Sequence, residues 1–368
     1  MARRSSGEGS IYQRSDRLWV GAISTGGKRR VVYGKTRKEV AAKLGTLQQD
    51  VAAGKLAEAS RLTLAEFLDE WLATQRTTVR PSTHASYRDL TRVHISPTLG
   101  TLRLQHLRPL HFARLYAERQ RLGFSARRVQ MVHRLLHKAL GDAVRWRLLN
   151  TNPVADVTAP RPQRSEQQVW TEAETVQFLE RAQRYERTWD PLWPFLIGSG
   201  CRVGEALGLR WSDIDWDANT VRVARSLTFV NNRSTEGEPK TSSGRRTIIL
   251  PPFALQALLV QRERQSPCRP DDGRCFTTAQ GTAPTPTNLL RAFHAACRTA
   301  GVPPLRIHDL RHVHATVALR GGADLKSLQR RLGHASLAMT LGLYAHALPT
   351  GDHQAALALE RALARGAS

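Results

Sequence analysis

Apolar and polar positions alternate from Ser10 to Tyr33, in the segments SIYQR, LWVGAIS and RRVVYG. Alternation of this kind, rich in Val, Ile, Trp and Tyr, predicts three short strands, and Gly26-Gly27 suits a hairpin turn between the last two. At Thr36 the period lengthens. Thr36 with Glu39 three residues on forms a capping box, which predicts a helix through Leu56. Residues 62–150 read as helix throughout. Leu64, Phe67, Leu68, Trp71 and Leu72 make a helical stripe, a second helix follows Ser82, and a third covers Pro109 to Gln120. Ser125 caps a long fourth helix that buries Val129, Val132, Leu135, Leu136, Ala139 and Val144 and turns Arg127, Arg134, Lys138 and Arg145 outward.

Asn152 to Gln168, rich in Pro, Arg and polar residues, reads as a linker. Thr171 and Glu174 make another capping box, and PLWPFLIGSGCRVGEALGLRW gives an apolar helix, a glycine-flanked turn and a second helix. Strands are predicted over Asp213–Trp216 and Thr220–Leu227, around an Asp217-Ala218-Asn219 turn, and over Arg245–Leu250, with Lys240 in the intervening loop. Helices resume at Pro252 and Thr287. The stretch Leu305–His346 breaks into short helices, for which Asp324 and Ser336 serve as N-caps, and Gln354–Arg365 forms an Ala/Leu-rich amphipathic tail. The fold class is therefore multidomain and mainly α. It has a small three-stranded sheet plus helix (1–60), a helical bundle (61–158), an α+β, mostly helical domain (165–350), and a tail (351–368).

Charge changes the picture. Fifty-five Lys and Arg against 31 Asp and Glu give a formal net charge of +24, which on a chain with 41% hydrophobic residues points to a folded partner of a polyanion, most often nucleic acid. An arginine-rich proteome would raise the charge without such a partner, so charge supports the reading and does not carry it. The excess is +7 over residues 1–60, +9 over 61–160 and +8 over the remaining 208, which places the expected DNA grip in the first 160 residues. Arg14, Lys28, Arg29 and Arg30 on the sheet, with Arg127, Arg134 and Lys138 on the long helix, are the candidate DNA-contacting residues. A plain docking sheet with solvated basic edges is the alternative. Cys201, Cys268, Cys275 and Cys297 lack metal-site spacing, and no apolar run of membrane-spanning length occurs. A reduced, cytoplasmic, nucleoid-associated protein with no signal peptide is expected.

The chemistry gathers late in the chain. Arg202 follows a glycine turn at the start of a helix, with Glu205 placed to brace it; His308 and Arg311, three apart, would share a helical face. His334 and Tyr344 lie beyond. Each alone is an ordinary residue. Together, two guanidinium groups and two imidazoles can neutralise the charge that builds on a phosphodiester under attack, and Tyr344 supplies the attacking oxygen. Lys240 can deliver a proton to the leaving sugar oxygen. Such an organic clamp needs no metal and no other cofactor. Asp213, Asp215 and Asp217 superficially offer a carboxylate cluster for metal-dependent transposition, but their spacing around a strand and turn suits hairpin chemistry.

These motifs resemble the tyrosine recombinases, the phage-integrase family. GSGCRVGEALGLRW is similar to the family's first arginine box, HDLRHVHAT to its His-x-x-Arg box, and LGHASLAMTLGLYAH to its closing His-to-Tyr box. The resemblance implies that Arg202 and Arg311 clamp the scissile phosphate, Tyr344 attacks it, and His308 and His334 assist. It makes Lys240 the general acid and Glu205 a support. Gly342 stands where a polar residue is common. The resemblance also implies an arm-type DNA-binding domain at the N-terminus, a core-binding domain in the bundle, and a tail that docks on a neighbouring protomer of a tetramer. The implied function is that of a site-specific recombinase, an integrase of a prophage or integrative element. It would act on double-stranded attachment sites through 3′-phosphotyrosine links and a Holliday junction, with an excisionase or a DNA-bending host protein as candidate partners. The rivals are relaxation of DNA in the manner of a type IB topoisomerase and a catalytically silent DNA-binding protein.

Overall fold

The structure is a computed structural model that describes residues 9–25, 28–52, 61–162, 168–230, 233–238, 242–265, 273–344, 360 and 363. The chain divides into two units, Met1–Arg164 and Ser165–Ser368.

In the first unit, alternation yields strands β1 (Ser10–Gln13), β2 (Trp19–Thr25) and β3 (Lys28–Gly34) in an antiparallel sheet of that order. Helix α1 (Arg37–Ala52) follows. Glu39 donates its N–H to Thr36 Oγ1 (3.2 Å), while its carboxylate accepts from the Lys35 N–H (2.9 Å), one residue earlier than a standard capping box. The expected extension to Leu56 falls outside the described residues. Val40 and Leu44 of α1 are buried, as are Val20, Ala22 and Ile23 of β2.

The bundle comprises α2 (Leu64–Gln75), α3 (Pro81–Leu90), a wide turn over Thr91–Ile95 leading into the short α4 (Ser96–Leu99), α5 (Pro109–Arg121) and α6 (Ala126–Arg145). Thr63 and Glu66 cap α2 reciprocally. The second helix starts at Pro81, earlier than expected, because proline at the first helical position loses no hydrogen bond. The α2 stripe packs as read: Leu64, Phe67, Leu68 and Trp71 are fully buried, and the Trp71 indole donates to Asp142 (2.7 Å). Val144 is only half-buried; Leu140 and Ala143, one turn apart on α6, fill the core instead. Val154 and Val157, assigned above to the linker, are also core residues. The Asn152 side chain, bonded to the His137 carbonyl (2.9 Å) and the Val154 N–H (3.0 Å), folds that segment back onto the bundle.

The second unit runs α7 (Glu172–Ala182), α8 (Leu192–Ser199), α9 (Val203–Leu207), β4 (Ile214–Asp215), β5 (Thr220–Val223), β6 (Ser226–Val230), β7 (Arg233–Gly237) and β8 (Arg246–Ile249). Helices α10 (Pro252–Gln265), α11 (Pro286–Ala300), α12 (Leu310–Arg320), α13 (Leu325–Leu332) and α14 (Leu337–Tyr344) complete it. Strands β4, β5 and β8 form one antiparallel sheet, and β6 and β7 a separate hairpin. The single strand expected over Thr220–Leu227 is thus two. The chain breaks at Arg225, whose guanidinium turns to Asp213 and Glu236. The aromatics Trp170, Phe178, Trp193, Phe195 and Phe293 fill the core between α7, α8 and α11. Among the described residues, no helix is long and apolar enough to cross a membrane.

Candidate active site

Helix α8 is wholly buried, and Gly200 ends it in the left-handed conformation (φ +66°). A Cβ at Gly200 would lie 2.6 Å from the His314 ring, so both the backbone angle and the close approach require glycine. The next turn presents Arg202 as the N-cap of α9. Glu205 accepts from the Arg202 N–H (3.0 Å) and from its guanidinium (2.7 Å), leaving that side chain about a third exposed. The buried Glu205 Oε2 that takes the Arg202 N–H also accepts from Arg246 at 2.9 Å.

His308 lies in a single tight turn, Ile307–Asp309, immediately before α12, and not on the helix that carries Arg311. Asp309, closing that turn, is held by Arg306. Arg311 is buried and donates to the Gly200 carbonyl (2.8 Å) and to the Leu332 carbonyl. Asp324 caps α13 as expected. Gly333 ends α13 with φ +64°, and a Cβ there would meet the Ser243 carbonyl at 2.7 Å. The end of the loop between β7 and β8 therefore lies against the residue preceding His334. Lys240, on that loop, lies outside the described residues. His334 Nδ1 meets Thr340 Oγ1 at 2.9 Å. Tyr344 ends α14, which begins directly after Ser336. It is 1% exposed, seated on Ala315, Leu319, Leu328 and Leu332, with its ring parallel to that of His334. Its hydroxyl lies 2.7 Å from His312 Nδ1.

The site is an electropositive, partly desolvated pocket. Burial, and then Arg202, lowers Arg311 to about 10. Partial burial of the ring, and then Arg311, lowers His308. Burial and the same two arginines bring His334 to about 4, and burial and the neighbouring His308 bring His312 to about 4. Burial pushes the Tyr344 phenol up to about 12, against the pull of Arg311. Burial also works against the Glu205 carboxylate, but Arg246 and Arg202 outweigh it and hold its pKa below the ordinary value. Arg202, Glu205, His308, Arg311, His334 and Tyr344 are thus gathered in one electrostatic neighbourhood. Neutral imidazoles beside fixed guanidinium charges can bind an anion without a proton exchange.

Sequence reasoning overlooked three side chains that build this pocket. His312 touches Tyr344. Arg246 ties Glu205 to the Arg331 carbonyl (2.6 Å). Arg331 donates to Gly198 O (2.7 Å), Ile249 O (2.9 Å) and His314 Nε2 (3.1 Å), while His314 Nδ1 meets Ile197 O (2.7 Å). The signal for His312 was available: on α12 it stands beside Arg311. Nothing in the sequence marks Arg246 or Arg331.

Asp213, Asp215 and Asp217 do not converge. Asp213 pairs with Arg225, Asp215 accepts the Ala218 N–H (2.9 Å) in the turn, and no metal-binding cluster occurs among the described residues. Cys201, Cys275 and Cys297 are free and buried, and Cys268 lies outside the described residues. Among the basic candidates, Arg14 is exposed beside Asp16. Arg29 lies over the Tyr12 ring on the sheet face that also carries exposed Val31 and Tyr33. Lys28 opens β3, and Arg30, by strand alternation, faces the opposite side from Arg29. Arg127 and Arg134 are exposed on α6. Lys138 is also exposed but engaged, 3.1 Å from Gln75 Oε1 and over the Trp71 ring.

Comparison with known proteins points to one family. Residues 168–350 match the Phage integrase family, and residues 63–118 match the family described as Phage integrase, N-terminal SAM-like domain. A tyrosine recombinase XerC-like protein of Caldanaerobacter subterraneus subsp. tengcongensis is 27% identical over 347 residues, covering 87% of this chain and 88% of its own. The Tn1549 transposon integrase, solved in complex with a circular intermediate DNA, has a similar fold. Its TM-score is 0.70 at 21% identity over 80% of this chain and 98% of that one. A lambda integrase tetramer bound to a Holliday junction gives a TM-score of 0.61 at 17% identity, over 93% of this chain and 96% of that one. With both matched segments in place and the arginine, histidine and tyrosine boxes folded into one pocket, the chain belongs to the phage integrase family, the tyrosine recombinases.

Proposed function

We propose that this chain is the site-specific recombinase of a prophage or integrative element, and that Tyr344 is its nucleophile. The observation that carries the reading is the position of the Tyr344 hydroxyl, in the same pocket as the buried guanidinium of Arg311 and against an imidazole nitrogen. Arg202 and Arg311 bind the non-bridging oxygens of the scissile phosphate, and His308 and His334 complete the clamp. Donors of this kind are typically worth about 3 kcal/mol each in the transition state. Glu205 holds Arg202 in place. Lys240 protonates the leaving 5′-oxygen. The 3′-phosphotyrosine link stores the bond energy for rejoining, so no cofactor is consumed.

Residues 1–60 act as an arm-type DNA-binding domain and residues 61–158 as the core-binding domain, presenting Arg14, Lys28, Arg29, Arg30, Arg127, Arg134 and Lys138 to the duplex. Support comes from the open, basic and aromatic face of the N-terminal sheet and from the match of residues 63–118 to the SAM-like family. The catalytic domain is 165–350. Four protomers act on two attachment sites through a Holliday junction, as the lambda integrase tetramer is seen bound to one. The tail 351–368 docks on a neighbouring protomer, and an excisionase or a DNA-bending host protein sets direction.

The test is covalent trapping. Nicked duplexes tiled across the DNA flanking the gene are mixed with the wild-type chain and with Tyr344→Phe. An SDS-resistant adduct at a 3′ end is expected from the wild type alone. Specific binding by both chains with no adduct from either would overturn the reading in favour of a silent DNA-binding protein.

A further inference from the structure

Resting on the reading of Tyr344 as nucleophile, we propose that His312 is a catalytic residue: it holds the Tyr344 hydroxyl and accepts its proton as the phenol attacks the phosphate. Attack by a neutral phenol needs an acceptor within hydrogen-bonding reach of its oxygen, about 2.6–3.2 Å. Among the described residues, the hydroxyl has one hydrogen-bonding partner, His312 Nδ1, at 2.7 Å.

Two of the neighbouring imidazoles are held by other partners, and His308 makes no hydrogen bond to the Tyr344 hydroxyl, whose partner is His312. His334 uses Nδ1 on Thr340, and both nitrogens of His314 are engaged, by Ile197 O and by Arg331. His312 is fixed on α12 next to Arg311, with its ring edge-on to His308 at 5.6 Å and tilted against Tyr344 at 5.5 Å. The group that orients the phosphate and the group that takes the proton therefore ride on the same helical turn.

The groups facing His312 are His308, Asp309 and Arg311 from its own segment, Arg306 just before it, His334 ahead of α14, and Tyr344 itself. Burial, and then His308, keep the imidazole neutral near pH 7, and in the tautomer that carries its proton on Nε2 the Nδ1 lone pair accepts from the Tyr344 hydroxyl. Asp309 alone of these favours the imidazolium once the proton arrives. The step balances. The Tyr344 Oη–P bond forms and the P–O5′ bond breaks. The phenolic proton passes to His312 Nδ1, and the 5′-oxygen takes a proton from the general acid. Religation runs the same transfers backwards.

The test is single-turnover cleavage of a nicked core-site duplex by the wild-type chain, His312→Asn and His312→Ala. Asparagine can occupy the place of the Nδ1 contact but cannot take a proton. Both variants are expected to cleave at least about 100-fold more slowly while still shifting the duplex in a gel. Between pH 6 and 9 the wild-type rate should stay level. The His312→Asn rate should rise by about tenfold per pH unit, because tyrosinate must then form unaided. A duplex with a bridging 5′-sulfur, whose leaving group needs no proton, should leave the variant just as slow. An Asn variant within about threefold of wild type with the same pH profile would reduce His312 to a positioning role, and rescue by the sulfur would move the defect to the leaving group. Either result overturns the proposal. Absence of an adduct from the wild type, by contrast, would overturn the reading of Tyr344 itself.

Discussion

On α6, Arg127 and Arg134 stand in solvent, whereas in the second unit Arg246 and Arg311 are buried and Arg331 is largely so. The inner three share a habit. Arg311 donates to Gly200 O and Leu332 O, Arg331 to Gly198 O and Ile249 O, and Arg246 to Arg331 O and Gly244 O. Four of these six carbonyls lie at the C-terminal ends of α8 and α13, where helices leave acceptors unpaired and the dipole is negative. The two connections so fastened are those that present Arg202 and His334. Net charge counts all five arginines alike, yet two stand in solvent and three brace the backbone.

That contrast breaks first at Arg311, a strut that the proposed mechanism also makes a clamp. Arg311→Ala should lower single-turnover cleavage by at least about 100- to 1,000-fold. Arg331→Ala, a strut that the proposed clamp does not include, should unfold more easily by about 2 kcal/mol in denaturant titration, because it leaves two carbonyls without their charged donor. If Arg331→Ala kept full stability, the division between struts and clamp would fail.

A weaker probe of the same scaffold is acid. His314 is held neutral, at about 3, by burial first and by Arg331 next. Its ordinary pKa is 6.5, so between roughly pH 6.5 and 3 the unfolded chain binds the extra proton. The stability this neutral histidine contributes is complete above about pH 6.5 and falls as the pH drops, by about 2 kcal/mol at pH 5. His312 and His334, also lowered, act in the same direction. Denaturation midpoints of the whole chain should drop from pH 7 to pH 5, and His314→Asn should flatten that slope. The smallest effects belong outside. Arg127→Ala and Arg134→Ala should each change stability by no more than about 0.5 kcal/mol, while reducing the slope of log affinity against log salt by about 1. Lys138→Ala should reduce that slope less, since its ammonium already leans on Gln75 and Trp71.

The parts of this protein legible in the sequence are those written in local patterns. The capping box at Thr171, the stripe of α2 and the outward arginines of α6 follow from residues within a few positions of one another. The family boxes were legible as motifs. What was lost depends on contacts across long stretches of chain. His312 and Tyr344 are 32 residues apart, and Arg331 reaches Gly198 over 133. The break between β5 and β6 is fixed by Arg225 meeting Asp213, not by any turn residue at the break. Val154 looked like linker because its neighbours are polar; it is buried because Asn152 bends the backbone there.

The seating of Tyr344 has a further consequence. In the free chain its phenol is closed off from solvent and raised to about 12, which leaves it unreactive toward small electrophiles that modify exposed tyrosines. A strand-cutting enzyme must sample a great deal of DNA that is not its target. If Tyr344 is the nucleophile, as proposed, its oxygen, stored in a hydrophobic seat and tied to an imidazole, lets the enzyme travel along a chromosome chemically quiet.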